Sequence, residues 1–287
     1  MAAGARRSRK PTLFIIGGAE DRLGKATVLR RFVRVAGGRQ ARIVLIPTAS
    51  SFQDEVIEAY RDVFTRLGAP DPEVVNPADR QAAHDPELVA LLDGATGIFM
   101  SGGSQLKLSQ RLPGTPLGAA LHRAHDRGAV IGGTSAGASI MSQFMISMGD
   151  EGITPRQRHS QLSAGLGLLE GVIIDQHFAQ RSRYGRLMSM VAASPSLIGI
   201  GIDEDTAIEV RDHTTFTVHG SGAVFVLDCR EAVSDAPDAR RGAPLMVSGA
   251  VVHSLPAGAT FDLSEVRLVD FVEKHPDVAV ALASAKA

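Results

Sequence analysis

Val130-Ile-Gly-Gly-Thr-Ser-Ala-Gly-Ala-Ser-Ile-Met141 is the stretch on which the reading of this chain turns. Ala129-Val-Ile131 predicts a short buried strand that runs into Gly132-Gly133, and Ala138-Ser-Ile-Met141 suits the start of a helix. Between them Gly133-Thr-Ser-Ala-Gly137 has the form G-x-S-x-G in the context that gives that form meaning: strand, sharp turn, helix. Such a turn forces tight backbone angles at Ser135, and its small neighbours permit them. The hydroxyl then stands clear of the sheet at a helix N-terminus, where free N–H groups and the helix dipole favour developing negative charge. The bland alternative is a glycine-rich turn that only packs closely.

Outward from this elbow, strands and helices alternate. Leu13–Ile16, Ile43–Ile46 and Gly97–Met100 are short apolar strands, with a further one expected at Glu73–Val75. Helices are predicted over Lys25–Ala36, Asp54–Leu67 and Leu117–Arg127, with a helical turn or two over Pro86–Leu92. Alternation of this kind means a mostly parallel central sheet covered on both faces, with the ligand crevice beyond the carboxyl ends of the strands. Three Gly-Gly pairs, 17–18, 102–103 and 132–133, each follow a predicted strand and gather glycine turns at one rim. Past residue 196 the pattern changes to closely spaced strands: Ile198–Ile202, Thr206–Val210, Thr215–Val218, Ala223–Leu227 and Leu245–His253, with Gly249 as a turn. No linker separates the halves. One catalytic α/β domain over 12–287 is expected, with a C-terminal β-rich extension, a frayed start over 1–11, a surface loop over Asp235–Gly242 and a helical tail over Ala279–Ala287.

Composition narrows the function. The 287 residues suffice to bury a core without staples, and 44% apolar against 21% charged residues is ordinary for a globular chain. Thirty basic and 31 acidic residues give a net charge of −1, which argues against a dedicated nucleic-acid binder and against a strongly charged polymer of one sign as substrate. A single cysteine, Cys229, excludes an internal disulfide or a multi-cysteine metal site. The basic start is followed by only four apolar residues, Leu13–Ile16, too few for a signal peptide. No run reaches the roughly 18 apolar residues of a membrane span. A cytoplasmic protein is expected. Gly18–Lys25 fails as a phosphate loop, because five residues instead of four separate Gly18 from Gly24 and Ala26 stands where Ser or Thr is needed. His122 and His125 lack an evident third metal ligand and read as a surface helix. Neither cofactor nor metal is expected.

A nucleophilic serine needs a base and a group to orient it. Of nine histidines, most lie in polar segments; His177 follows Val172-Ile-Ile-Asp-Gln176 at the end of an apolar run. Three carboxylates, Asp203, Glu204 and Asp205, close another predicted strand, and spacing does not choose among them. Ser, then His, then acid is not the α/β-hydrolase order. Oxyanion donors are expected from the N–H of Ala136 and from the Gly102-Gly103 loop, with Gly103 the candidate. Arg181, Arg183 and Arg186 follow the histidine. Arg183 and Arg186 are spaced to share a helix face, and planar guanidinium forks suit a substrate carboxylate. A solvated helix face is the plain alternative.

Gly133–Ala138, Asp175-Gln-His-Phe178 with Arg181, Arg183 and Gly185-Arg-Leu187, and Gly201-Ile-Asp-Glu204 together resemble the cyanophycinase family of serine peptidases, which also holds α-aspartyl dipeptidase. Similar pieces are Gly17-Gly-Ala-Glu-Asp21, Ile46-Pro-Thr-Ala-Ser50, Gly102-Gly-Ser-Gln105 and Gly165-Leu-Gly-Leu-Leu169, in order from about residue 12 to about residue 254. Ser104 stands where the family motif has an acidic residue. The resemblance implies a class I glutamine-amidotransferase-like three-layer sandwich with serine in place of cysteine, and a triad of Ser135, His177 and Glu204. It also implies a homodimer, cyanophycin as substrate and β-Asp-Arg as product. By position Gln105, Asp175, Gln176, Arg181, Arg183 and Arg186 match the family's substrate pocket. On this expectation arginines hold the substrate carboxylates, and Asp175 or a nearby acid receives its guanidinium. The alternatives are a dipeptidase acting on small Asp-containing peptides and a non-catalytic binding protein on the same fold.

Overall fold

In β1 (Thr12–Ile16) alternate side chains enter different cores: Leu13 and Ile15 on one face of the sheet, Phe14 and Ile16 on the other. The computed structural model describes residues 10–271. Of the expected frayed start, residues 1–9 lie outside the described residues, as does the expected helix over Ala279–Ala287; Lys10 pairs with Asp212 and the Pro11 carbonyl accepts the Asp212 N–H.

The first half follows the expected alternation. After β1 come α1 (Thr27–Ala36), β2 (Ile43–Ile46), α2 (Gln53–Arg66), β3 (Glu73–Val74), α3 (Pro86–Asp93) and β4 (Gly97–Met100). Then come α4 (Gln105–Arg111), α5 (Pro116–Asp126), β5 (Val130–Thr134), and α6 (Ala136–Ser139). α4 has no counterpart among the expected helices. Strands β3, β2, β4, β5 and β1 lie side by side and parallel. Pro86 and Pro116 each open a helix whose preceding residue, Asp85 or Thr115, accepts a first-turn N–H, a standard solution for orphan helix donors.

Gly132 and Gly133 lie inside β5 and do not form a turn, which corrects the expectation that this pair ends the strand. The reason is packing. Phe32, Phe64, Phe99 and Tyr60 form a ring cluster under the sheet, with Phe32 and Phe99 centroids 5.1 Å apart. A Cβ on Gly132 would lie 2.5 Å from Phe32 Cε2, and one on Gly133 2.2 Å from the Gly137 carbonyl oxygen. Each of these buried rings contributes on the order of 1.5–3 kcal/mol, so glycine is what lets them reach the sheet.

The second half adds β6 (Ser142–Gly149), β7 (Ser160–Ala164), β8 (Leu169–Gln176), α7 (Tyr184–Ala193), β9 (Ile198–Ile202), β10 (Thr206–Arg211), β11 (Thr215–Gly220) and β12 (Ala223–Asp228). β13 (Val233–Ser234) and β14 (Val247–Ser248) form a small pair, and β15 (Val251–Pro256), β16 (Ala259–Asp262) and β17 (Arg267–Phe271) complete the described residues. The C-terminal strands do not form a body of their own. β10, β11, β16 and β17 continue the first sheet antiparallel from β1, in the order β17-β16-β11-β10-β1-β5-β4-β2-β3. β15, β12, β9, β8, β6 and β7 make a second sheet, in that order. The core that holds Leu13 and Ile131 also takes Ile174, Ile200 and Val224 from the second sheet and Leu117 and Leu121 from α5, while α1 and α2 cover the opposite face. The result is a mixed α/β three-layer fold.

Candidate active site

The end of β1 frames the site. The carbonyls of Ile16, Gly17 and Gly18 accept, in turn, the backbone N–H groups of Ser135 (3.0 Å), His177 (2.8 Å) and Asp205 (2.8 Å). Three consecutive residues thus hold the ends of β5 and β8 and the β9–β10 turn together. Thr134 and Tyr60 both donate their hydroxyls to Glu20, a buried carboxylate beneath the elbow. Burial, and then the Glu20 charge, push the Tyr60 hydroxyl pKa well above its usual range, which keeps it a donor. Glu20 and Thr134 fall in stretches that the sequence already marks, Gly17–Asp21 and Gly133–Gly137, but nothing in the sequence announces that they meet each other or Tyr60.

Ser135 sits at φ 52°, ψ −110°. An L-residue is strained there, and such strain persists where the surrounding structure over-determines it. His177 Nε2 lies 3.0 Å from Ser135 Oγ, and His177 Nδ1 lies 2.6 Å from Glu204 Oε1. These two contacts join a serine, an imidazole and a carboxylate from three separate segments. The expected helix behind the serine is only four residues long, since the chain turns into β6 directly. The helix-dipole part of the expectation therefore carries little weight; the N–H groups themselves remain. Neither the Gly103 nor the Ala136 N–H donates to another group of the described residues. A Cβ on Gly102 would lie 3.3 Å from Ser135 Cβ and 3.8 Å from its Oγ, so the glycine loop borders the hydroxyl closely.

The structure separates the three acids that spacing left equal. Asp203 is buried, and its oxygens accept the N–H groups of Ala179 (3.0 Å) and Ala223 (3.1 Å), fixing the loop after the histidine. Glu204 meets the imidazole. Asp205 accepts the Asp21 N–H (3.0 Å) and the Ser221 hydroxyl (2.9 Å). Burial lowers the His177 pKa below that of a free imidazole, and the Glu204 hydrogen bond opposes this. A base must be neutral to act, so its active form persists below pH 6.5. In kcat/KM against pH, the rising limb is expected to have its midpoint below that value; a midpoint above 7 would contradict the role of burial.

Gly18 shows how closely the His177 ring is held. At φ +105°, a Cβ on it would lie 2.4 Å from His177 Cε1. Gly18→Ala is expected to displace the ring and lower kcat/KM by about 10²-fold, the size of effect a 1 Å misplacement produces. Steady-state kinetics on the purified variant would check it, with a wild-type rate counting against ring positioning.

The arginines behave differently from the expectation. Arg183 and Arg186 are buried, while Arg181 is exposed. Arg186 donates Nε to Asp175 Oδ2 at 2.6 Å and Nη2 to Asp175 Oδ1, a bidentate pair, and Arg183 Nη1 lies 3.5 Å from the same carboxylate. Asp175 is 1% exposed. Against the part of the expectation that named Asp175, it is already engaged by two guanidiniums of its own chain; a nearby acid is the alternative that the expectation left open. Arg183 Nη1 also donates to the Gln176 carbonyl (2.7 Å) and to Gln176 Oε1 (3.2 Å); the same Oε1 accepts from Ser135 Oγ at 3.3 Å. Gln176 Nε2 reaches Gln105 Oε1 at 3.5 Å, and Gln105 in turn donates to the Ile146 carbonyl. Gln105, Gln176 and Arg183 thus form one chain of contacts ending at the Ser135 hydroxyl.

Elsewhere, Cys229 is buried. His125 is buried, not on a surface, and lies edge-on to His213. No group of three or more His, Cys, Asp or Glu able to hold a metal ion occurs among the described residues. No helix of those residues is long and apolar enough to cross a membrane.

Residues 13–218 match Peptidase family S51. The chain is 37% identical over 256 residues to the cyanophycinase of Synechococcus elongatus, covering 88% of this chain and 80% of that one. It is 35% identical over 271 residues to that of a Nostoc species, covering 93% and 91%. Among solved structures it resembles a peptidase from an acI-B1 actinobacterium (TM-score 0.62, 24% identity, 89% of this chain and 98% of that chain). It also resembles a putative peptidase E from Listeria monocytogenes (TM-score 0.51, 19% identity, 74% and 100%). At those identities the structures speak for the fold, whereas the sequence match spans most of the chain. The chain belongs to peptidase family S51.

Proposed function

We propose that this chain is a serine exopeptidase that hydrolyses cyanophycin, the multi-L-arginyl-poly-L-aspartate polymer, to β-Asp-Arg dipeptides through an acyl-enzyme. The observation that carries the reading is the unbroken contact chain from Ser135 Oγ through His177 to Glu204, in a sequence whose relatives include cyanophycinases. Ser135 attacks the backbone amide next to the terminal repeat. His177 takes its proton and passes it to the leaving amine, and Glu204 holds the imidazole in the tautomer that leaves Nε2 free to accept. The N–H groups of Gly103 and Ala136 receive the oxyanion. Water then cleaves the acyl-enzyme with His177 as base.

Substrate contacts are assigned to Gln105, Gln176, Arg181 and Arg183, with Asp175 and Arg186 beneath them as the ion pair that holds Arg183 in place. Each polymer repeat carries one carboxylate and one guanidinium. With Asp175 buried, the acid proposed to meet the guanidinium is Glu151, which lies 3.6 Å from Arg183 and 3.9 Å from Arg181 but is half exposed, so that a ligand can reach it. Glu151→Gln is expected to raise KM for the polymer about tenfold with a smaller change in kcat, the effect of one lost charge-assisted contact. Initial rates over a range of soluble polymer concentrations separate the two parameters, and an unchanged KM would remove Glu151 from the assignment.

The rest of the reading is a single catalytic domain over 12–287 that works as a cytoplasmic homodimer. Its architecture is class I glutamine-amidotransferase-like, with a serine at the position of that group's cysteine; the parallel run β3-β2-β4-β5-β1 with the elbow at the end of β5 supports this. Insoluble cyanophycin and a panel of Asp-containing dipeptides, offered to the same preparation with the soluble products identified by mass, test the substrate. Release of β-Asp-Arg is the expected result. Cleavage of dipeptides with the polymer left intact would overturn it.

A further inference from the structure

Between α1, the end of α2 and β11 lies a cleft of about 710 Å³, lined by none of Ser135, His177 and Glu204. Its wall carries Arg30, Arg31, Arg34, Arg39, Arg66 and His219, and no acidic side chain. Such a concentration of positive charge is unexpected on a chain whose net charge is −1. Like charges around one cavity repel and raise the local affinity for anions.

The protein itself answers only part of this charge. Glu209 lies buried behind the wall and accepts Arg31 Nε (2.7 Å), His219 Nε2 (3.0 Å) and, from outside the cleft, Arg211 Nε (3.0 Å). Within the lining, the ion pairs of the described residues reach only Arg31 and His219. Arg30 and Arg66 donate to main-chain carbonyls of Lys25, Gly24 and Arg22, and the Asp21 carboxylate outside the lining attracts Arg66 without forming an ion pair with it. Val33, Leu67 and Val218 supply an apolar wall beside them.

We propose that this cleft binds a small oligoanion, a molecule with two or more phosphate or carboxylate groups on a compact apolar body. Guanidinium forks grip such oxyanions in pairs, and several forks around one space suit more than one anionic group. The volume lies within the roughly 300–1,000 Å³ of small-molecule sites. A cyanophycin repeat does not fit, since it brings a guanidinium with each carboxylate and the cleft offers no acid to meet it.

The test is calorimetric titration of the full chain with ATP, inorganic pyrophosphate and citrate, each at low and at moderate salt. Arg34→Glu/Arg39→Glu and the milder Arg34→Gln/Arg39→Gln are titrated beside the wild type; both positions are exposed and outside the peptidase site. Saturable binding of at least one probe, weakened tenfold or more in the Glu variant and less in the Gln variant, with peptidase kcat/KM unchanged, is the expected result. Preference for ATP and pyrophosphate marks a phosphate ligand, and preference for citrate a polycarboxylate. Absence of saturable binding, equal binding by wild type and variants, or a change of oligomeric state in place of ligand binding would each overturn the proposal.

Discussion

Ser135→Ala is expected to lower kcat on cyanophycin by about 10⁴–10⁶-fold while leaving the protein folded. The loss is large because the triad acts as a unit: without the nucleophile, the imidazole and carboxylate have nothing to activate, and only the residual catalysis of bound substrate beside oxyanion donors remains. The fold is expected to survive because the hydroxyl makes only two side-chain contacts, 3.0 Å to His177 and 3.3 Å to Gln176, so its removal costs on the order of 1 kcal/mol. Alanine is also no worse than serine at φ 52°. Two measurements check this together. Soluble product from insoluble polymer should vanish against the wild-type rate, and a fluorophosphonate probe should label the wild type at Ser135 and leave the variant unlabelled. Clearing of the polymer by the variant at the wild-type rate would remove Ser135 from the mechanism. A wild type that resists the probe but still cleaves would also require another nucleophile.

Much of this site is legible in the sequence, for identifiable reasons. The elbow is local: glycine, small residue, serine, small residue and glycine must be contiguous to make the turn, so a linear reading sees it. His177 is visible because an imidazole after Val-Ile-Ile-Asp-Gln is placed at a strand end by the run before it. The parallel half of the first sheet follows from period and punctuation, and its strands fall within a residue or so of the expected positions except β5, which runs through its buried glycines to Thr134, three places further. What is not legible depends on contacts between distant segments. β6 and β7 alternate poorly, β7 being half exposed along its length, and they exist because they pair with each other and β6 pairs with β8. α4 begins after Gly-Gly-Ser with no capping contact from Ser104 to announce it. The choice of Glu204 over Asp203 and Asp205 rests on which carboxylate faces the imidazole, a matter of turn geometry at residues 203–205 that no spacing reports. Glu20 stands in the Gly17–Asp21 stretch, but its part in the site shows only where Tyr60 and Thr134 close on it.

The same limit governs the arginines. Three cations after a histidine look like a ligand clamp, and a carboxylate six residues before the first looks like its complement. In the folded chain Asp175 and Arg186 neutralise each other, and this makes the second of the large predictions. Arg186→Leu is expected to destabilise the protein by about 3–5 kcal/mol, because it leaves a carboxylate that is 1% exposed without its bidentate partner. Arg183 alone, at 3.5 Å, is too distant to replace it. The pairing also props the Arg183–Gln176–Ser135 chain, so kcat/KM should fall in whatever fraction remains folded. A companion variant separates charge from volume. Asp175→Asn/Arg186→Leu removes both charges and should recover a good part of the lost stability, since what costs most in the single change is the ion left alone, not the pair forgone. Denaturant unfolding of the three proteins, with equal slopes required before midpoints are compared, measures this directly. An Arg186→Leu protein that unfolds with the wild type would mean that Asp175 does not depend on Arg186, and would return it to the set of groups free to meet a substrate guanidinium.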